Sequence, residues 1–98
     1  MTKTFATLLI ATLATAPALA ADHVFVVTNR TEAAVTQILV QGGQVIDFKR
    51  IPANGERPLT LTLPDGVCTT RLTIVFDDSD SIDFGTYDAC TSGGLDLG

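Results

Sequence analysis

The chain is 98 residues long and sets eleven acidic against six basic side chains, a formal charge of −5 at pH 7. That balance repels phosphate backbones and anionic lipid surfaces, which argues against nucleic acid and membrane headgroups as partners. With one histidine and two cysteines, the chain also lacks the materials for a zinc-hydrolase site or an evident nucleophile–base pair.

The first element is a predicted signal peptide, residues 1–20. Lys3 is its only charge, an apolar stretch runs from Phe5 to Ala16, and Pro17 precedes the triplet Ala18-Leu19-Ala20. Charge, apolar run and small residues in that order are the grammar of a secretory signal, with cleavage expected after Ala20 and Ala21 as the nearest alternative. A membrane anchor fits less well, because Thr and Ala fill most of the segment and its only strongly apolar cluster, Leu8-Leu9-Ile10, is far short of a span. Removing residues 1–20 leaves 98 − 20 = 78 residues, a single domain at 21–98, and moves the charge from −5 to −6 because only Lys3 is lost. A domain this small is near the limit of what a hydrophobic core alone can hold, and export takes Cys68 and Cys90 to a compartment where a disulfide persists.

From there apolar and polar residues alternate at period two, and no stretch keeps a helical period. The first predicted strand is His23 to Thr28, closed by Asn29-Arg30. The second covers about Ala34 to Gln41 and ends at Gly42-Gly43, and the third covers about Val45 to Ile51. Pro52-Ala53-Asn54-Gly55 makes a loop, and Pro58 stands at a strand entrance where a missing donor is tolerated. The fourth strand, Leu59 to Leu63, has three leucines on one face and two threonines on the other, and Pro64-Asp65-Gly66 turns the chain. A fifth strand, Val67 to Phe76, and a sixth, Ser81 to about Ala89, flank the acidic turn Asp77-Asp78-Ser79-Asp80. In the Gly-rich tail Thr91 to Gly98, Leu95 and Leu97 alternate and offer a short seventh. These elements predict an all-β fold, a small antiparallel β-sandwich of six or seven strands with one disulfide.

One register of the last hairpin unites several of these residues. Pairing Phe76 with Ile82 also pairs Ile74 with Phe84, Leu72 with Thr86 and Cys68 with Cys90, and opposed residues lie about 4.5–5.5 Å apart at Cα, within disulfide reach. The same register places Leu72, Ile74, Phe76, Ile82 and Phe84 on one face and Arg71, Thr73, Asp83 and Tyr87 on the other.

Asn29-Arg30-Thr31 after the opening strand, Ile51-Pro52-Ala53-Asn54-Gly55 before an alternating strand, and Cys68 to Asp78 followed by Cys90 together form a pattern. It resembles a group of small secreted, poorly characterised disulfide-bonded β proteins of Gram-negative bacteria. The resemblance covers most of residues 21–98. It implies export and a disulfide-bonded β fold, and carries no activity. The chain departs from the group in having only Gly42-Gly43-Gln44 where members carry a longer Trp-containing segment, and Ser79 or Ser81 where they carry a Gly in the acidic turn.

Four candidate sites remain. Cleavage after Ala20 would expose the N-terminus Ala21-Asp22-His23, whose amine, two amide nitrogens and imidazole suit square-planar Cu(II) or Ni(II). The plainer reading is a histidine that starts a strand. Asp77, Asp78, Asp80 and Asp83 invite comparison with calcium loops, but the central Gly and terminal Glu of an EF-hand are missing, and a solvated turn explains them. Asn29-Arg30-Thr31 matches a glycosylation acceptor and equally a turn. Arg71, Asp83 and Tyr87 form an outward patch of the kind found at interfaces, and equally at cross-strand contacts. The sequence therefore predicts a non-catalytic binding or interaction module, periplasmic or secreted, with no cofactor beyond that Cu or Ni. The expected partner is a protein or small molecule of the cell envelope, with no membrane insertion once the signal is removed.

Overall fold

A computed structural model describes residues 19–98, so the signal expected at residues 1–20 lies almost wholly outside the described residues. The strands are β1 (Ala20–Asn29), β2 (Val35–Val40), β3 (Gln44–Ile46), β4 (Glu56–Pro64), β5 (Thr69–Phe76), β6 (Ser81–Asp88) and β7 (Gly94–Leu97). They form two sheets, one ordered β3-β4-β1-β7 and the other β2-β5-β6. The described residues contain no helix, and therefore none long and apolar enough to cross a membrane.

The period-two alternation builds the core directly. Phe25 and Val27 of β1, Leu59, Leu61 and Leu63 of β4, and Leu95 and Leu97 of β7 are buried from one sheet, and Val35, Ile38, Leu72, Ile74 and Phe76 from the other. Phe25 meets Tyr87 across the sandwich with ring centroids 5.7 Å apart. β1 is antiparallel to β4 but parallel to β7, so the tail closes the sheet with a crossover from the other sheet rather than a hairpin. Gly94 allows this closure, because a Cβ there would run into the carbonyl oxygen of Val26.

Three sequence expectations shift. The third strand stops at Ile46, because Asp47 takes a positive φ of 53° that breaks the extended run, and Ile51 makes only an isolated bridge to Val35. Pro58 lies inside β4 rather than before it, opposite Val26. Its nitrogen faces the β3 side, where pairing ends at Thr60, so no ladder donor is lost. The last hairpin is also displaced. Ile74 pairs with Ile82 and Thr73 with Asp83, then the register slips so that Leu72 pairs with Gly85, Thr70 with Tyr87 and Thr69 with Asp88. A β-bulge inserts Phe84 at that point, with Gly85 at φ 94°.

The bulge reverses the alternation of β6. Ile82 and Phe84 keep the inward parity expected of them, but at the edge of the sheet, where Ile82 stays 43% exposed. Beyond the bulge Tyr87 and Ala89 turn inward, and Tyr87 is only 4% exposed. Cys68 and Cys90 are bonded as the sequence predicts, just outside the ladder, with Cα atoms 5.2 Å apart. Ala89 N–H donates to Cys68 O at 2.7 Å and holds the two ends together.

Candidate functional site

An open concavity with an apolar floor lies where the β1–β2 loop meets the acidic turn. Ala33, Phe76 and Ile82 make an apolar floor, while Thr31, Glu32, Asp78 and Asp80 stand around it, enclosing about 430 Å³. The loop side is fixed by Asn29, which is 0% exposed. Its Nδ2 donates to Ala33 O at 2.9 Å and Pro52 O at 3.1 Å, and its Oδ1 accepts from Thr31 N–H at 3.0 Å and Thr31 Oγ at 2.7 Å. One amide thus ties the end of β1 to the rim loop and to the strap before β4. A side chain buried this completely cannot carry a glycan in the folded protein, so Asn29-Arg30-Thr31 is structural.

The turn side is equally defined. Phe76 N–H donates to Asp80 O at 2.9 Å and Ser79 N–H to Phe76 O at 3.1 Å, a tighter reversal than the expected pairing of Phe76 with Ile82 implies. Asp78 Oδ1 accepts from Asp80 N–H at 3.0 Å, an Asx turn. Two of the four carboxylates grouped by sequence are drawn elsewhere, Asp77 to Arg50 at 3.0 Å and Asp83 to Arg71 at 2.6 Å. The four do not converge as calcium ligands would. Among the described residues, Glu32, Asp78 and Asp80 have no cationic side chain paired with them.

No family model, curated protein or solved structure matches the chain.

The patch Arg71, Asp83 and Tyr87 is only partly assembled. Arg71 and Asp83 meet on the outer face of the β2-β5-β6 sheet, beside Leu39, Gln41 and Thr73. Tyr87 does not join them, because the bulge turns it into the core, where its hydroxyl donates to Ser92 O at 3.0 Å. The Arg71 guanidinium hydrogen bond, together with the Gly85 N–H, holds the Asp83 carboxyl below its ordinary value of 3.8. A lowered folded-state pKa gives stability that is present above the unfolded value and is lost as pH falls through the folded one. Melting curves of the wild type and Asp83→Asn are therefore expected to differ at pH 5 and to converge as pH falls below about 4. A gap that stays constant down to pH 2.5 would show that the ion pair is not its source.

Ala21, Asp22 and His23 are held extended along β4, opposite Leu63, Thr62 and Leu61. Thr62 Oγ donates to Asp22 Oδ1 at 2.9 Å, and Asp65 N–H donates to Leu19 O at 2.8 Å, so the ladder runs past the expected cleavage point. Square-planar capture of Cu(II) or Ni(II) needs the His23 amide nitrogen, which faces β4. Metal binding there would require the start of β1 to peel away. His23 Nε2 is buried without a hydrogen-bond partner. Asp88 lies with Cys68 and Cys90 in a group of ligand-type atoms within 4.8 Å, but the sulfurs are bonded to each other and Asp88 Oδ1 caps the amides of Cys90 and Thr91.

Proposed function

We propose that the protein is an exported, non-catalytic binding module whose cleft takes a segment or ligand that carries a positive charge beside an apolar body. The observation that carries this is the pairing of an apolar floor, the exposed Ile82 and half-buried Ala33 over the buried Phe76, with carboxylates that no cationic side chain pairs among the described residues, Glu32, Asp78 and Asp80. Apolar area supplies affinity, and the charges supply selection and steering. The Asn29 hub and the hairpin pre-shape both walls, which lowers the ordering cost of binding. Export is supported by the leader-like residues 1–20 and is compatible with the Cys68–Cys90 disulfide, which oxidising compartments preserve.

Two measurements test this. Intact mass of the exported protein is expected to place its first residue at Ala21. A fluorescent peptide alternating Lys and Leu should bind saturably by anisotropy, an isomer with Glu in place of Lys should not, and Asp78→Asn with Asp80→Asn should weaken the first several-fold. Equal binding of both peptides, or none of either, would remove the charge-selective cleft.

A further inference from the structure

β7 covers β1 only from Val26 to Asn29. Among the described residues, β1 from Ala21 to Phe25 has β4 on one side and no strand on the other. The direction of its free groups follows from neighbouring bonds. Val26 N–H donates to Gly93 O and Arg30 N–H to Leu97 O, so even-numbered residues of β1 turn their N–H and C=O toward the β7 side. Asp22 and Val24 therefore aim both groups at the open edge, and Val24 is 68% exposed. Ala20-Ala21-Asp22-His23-Val24-Phe25 has no proline, no lysine and no bulge, and Asp22 is its one charged guard.

We infer that this edge pairs with the same edge of a second copy, β1 against β1, antiparallel about a two-fold axis at His23. In that register Asp22 lies opposite Val24 of the second copy, and the reverse, so each open N–H meets an open C=O. Neighbouring registers fail. Centring on Asp22 sets two carboxylates against each other, and centring on Val24 calls on Val26, whose N–H is already given to Gly93. The slot also has a fixed length. Ala21 falls opposite Phe25 of the second copy, and a further residue would meet Val26, where β7 begins. Pairing of this form therefore rests on the proposed cleavage after Ala20, which would cut the strand to the length of the gap and make the association a property of the processed chain.

The experiment is sedimentation velocity over a concentration series, on chains confirmed by intact mass to begin at Ala21. A five-residue edge is a small interface, so dimer is expected to appear in a concentration-dependent way below roughly millimolar protein. Val24→Asp sets an acid opposite Asp22 and should weaken the dimer at least tenfold, whereas Val24→Lys sets a base there and should preserve or tighten it. A chain retaining Leu19 and Ala20 should stay monomeric. Because Val24 points to solvent, matching melting curves will confirm that the variants fold. A monomer at all concentrations, or a dimer indifferent to both Val24 substitutions, would overturn the pairing. The mass of the exported protein judges the processing separately.

Discussion

Asn29→Ala is expected to lower unfolding free energy by about 3 kcal/mol, a fall in Tm of about 12–24 °C for a domain of this size. The amide makes four short hydrogen bonds in a site with no exposure, to Ala33 O, Pro52 O, Thr31 N–H and Thr31 Oγ. Alanine removes all four: Ala33 O keeps the Thr31 hydroxyl and Pro52 O keeps Gly55 N–H, but Thr31 N–H loses its partner, and a polar group left unpaired away from water costs about 1–3 kcal/mol. Asn29→Asp should be worse despite its identical shape. Its carboxylate can still accept from Thr31, but it confronts the carbonyl oxygens of Ala33 and Pro52 with a second acceptor where a donor is needed. Thr31→Val, which loses only the hydroxyl bonds, should cost about 1 kcal/mol. Urea or thermal melts followed by far-UV circular dichroism would give the order. A Tm for Asn29→Ala within a few degrees of the wild type would mean that the three segments hold together without the hub. The effect should also reach function, since Thr31, Glu32 and Ala33 form one wall of the cleft.

Most of the fold is legible because burial on one face forces a period of two. Leu59, Leu61 and Leu63 announce β4, and Leu95 with Leu97 announces β7, in the sequence as in the structure. What alternation cannot show is a change of phase within a strand. Gly85 is the one local sign of the bulge in β6, since an isolated glycine inside a strand often marks one. Without it, Tyr87 is placed outward with Arg71 and Asp83, and the expected patch loses its aromatic when the real parity is known. The cysteine pairing survives the same slip because Cys68 and Cys90 lie beyond the ladder, where one residue of offset still leaves their Cα atoms within bridging distance. The parallel β1–β7 contact and the cleft are long-range products of topology. Ala33, Phe76 and Ile82 come from three separate segments, and no spacing in the chain marks them as neighbours. In the sequence Asn29 reads as a turn former or a glycosylation acceptor, because a polar side chain that serves backbone groups of distant segments has no local signature.

Breaking the Cys68–Cys90 bond is the other large effect expected. The bridge spans 22 residues of sequence, and on the chain-entropy model a loop of that size stabilises the folded state by about 3 kcal/mol. A domain of about 78 residues has only about 4–12 kcal/mol in total, so this one bond carries a large part of the margin. Its position adds to its importance. It clamps the open end of the β5–β6 hairpin, just where the chain leaves for the other sheet through Thr91–Gly93 to pair β7 with β1. With the clamp gone, hydrogen bonds must hold that crossover, among them Ala89 N–H to Cys68 O, Tyr87 hydroxyl to Ser92 O and the Cys90 and Thr91 amides to Asp88 Oδ1. Cys68→Ala with Cys90→Ala is therefore expected to melt about 12–24 °C below the oxidised protein, and the wild type with a phosphine reductant should melt near the double variant. In hydrogen exchange the first amides to lose protection should be those of β7 and the amides that donate to its segment, Val26 and Arg30, before those of the β4–β1 ladder such as Asn29. Uniform loss across both sheets would locate the contribution of the bond in the unfolded chain alone. A melting point unchanged by reduction would show that the hairpin and the crossover close without a covalent link.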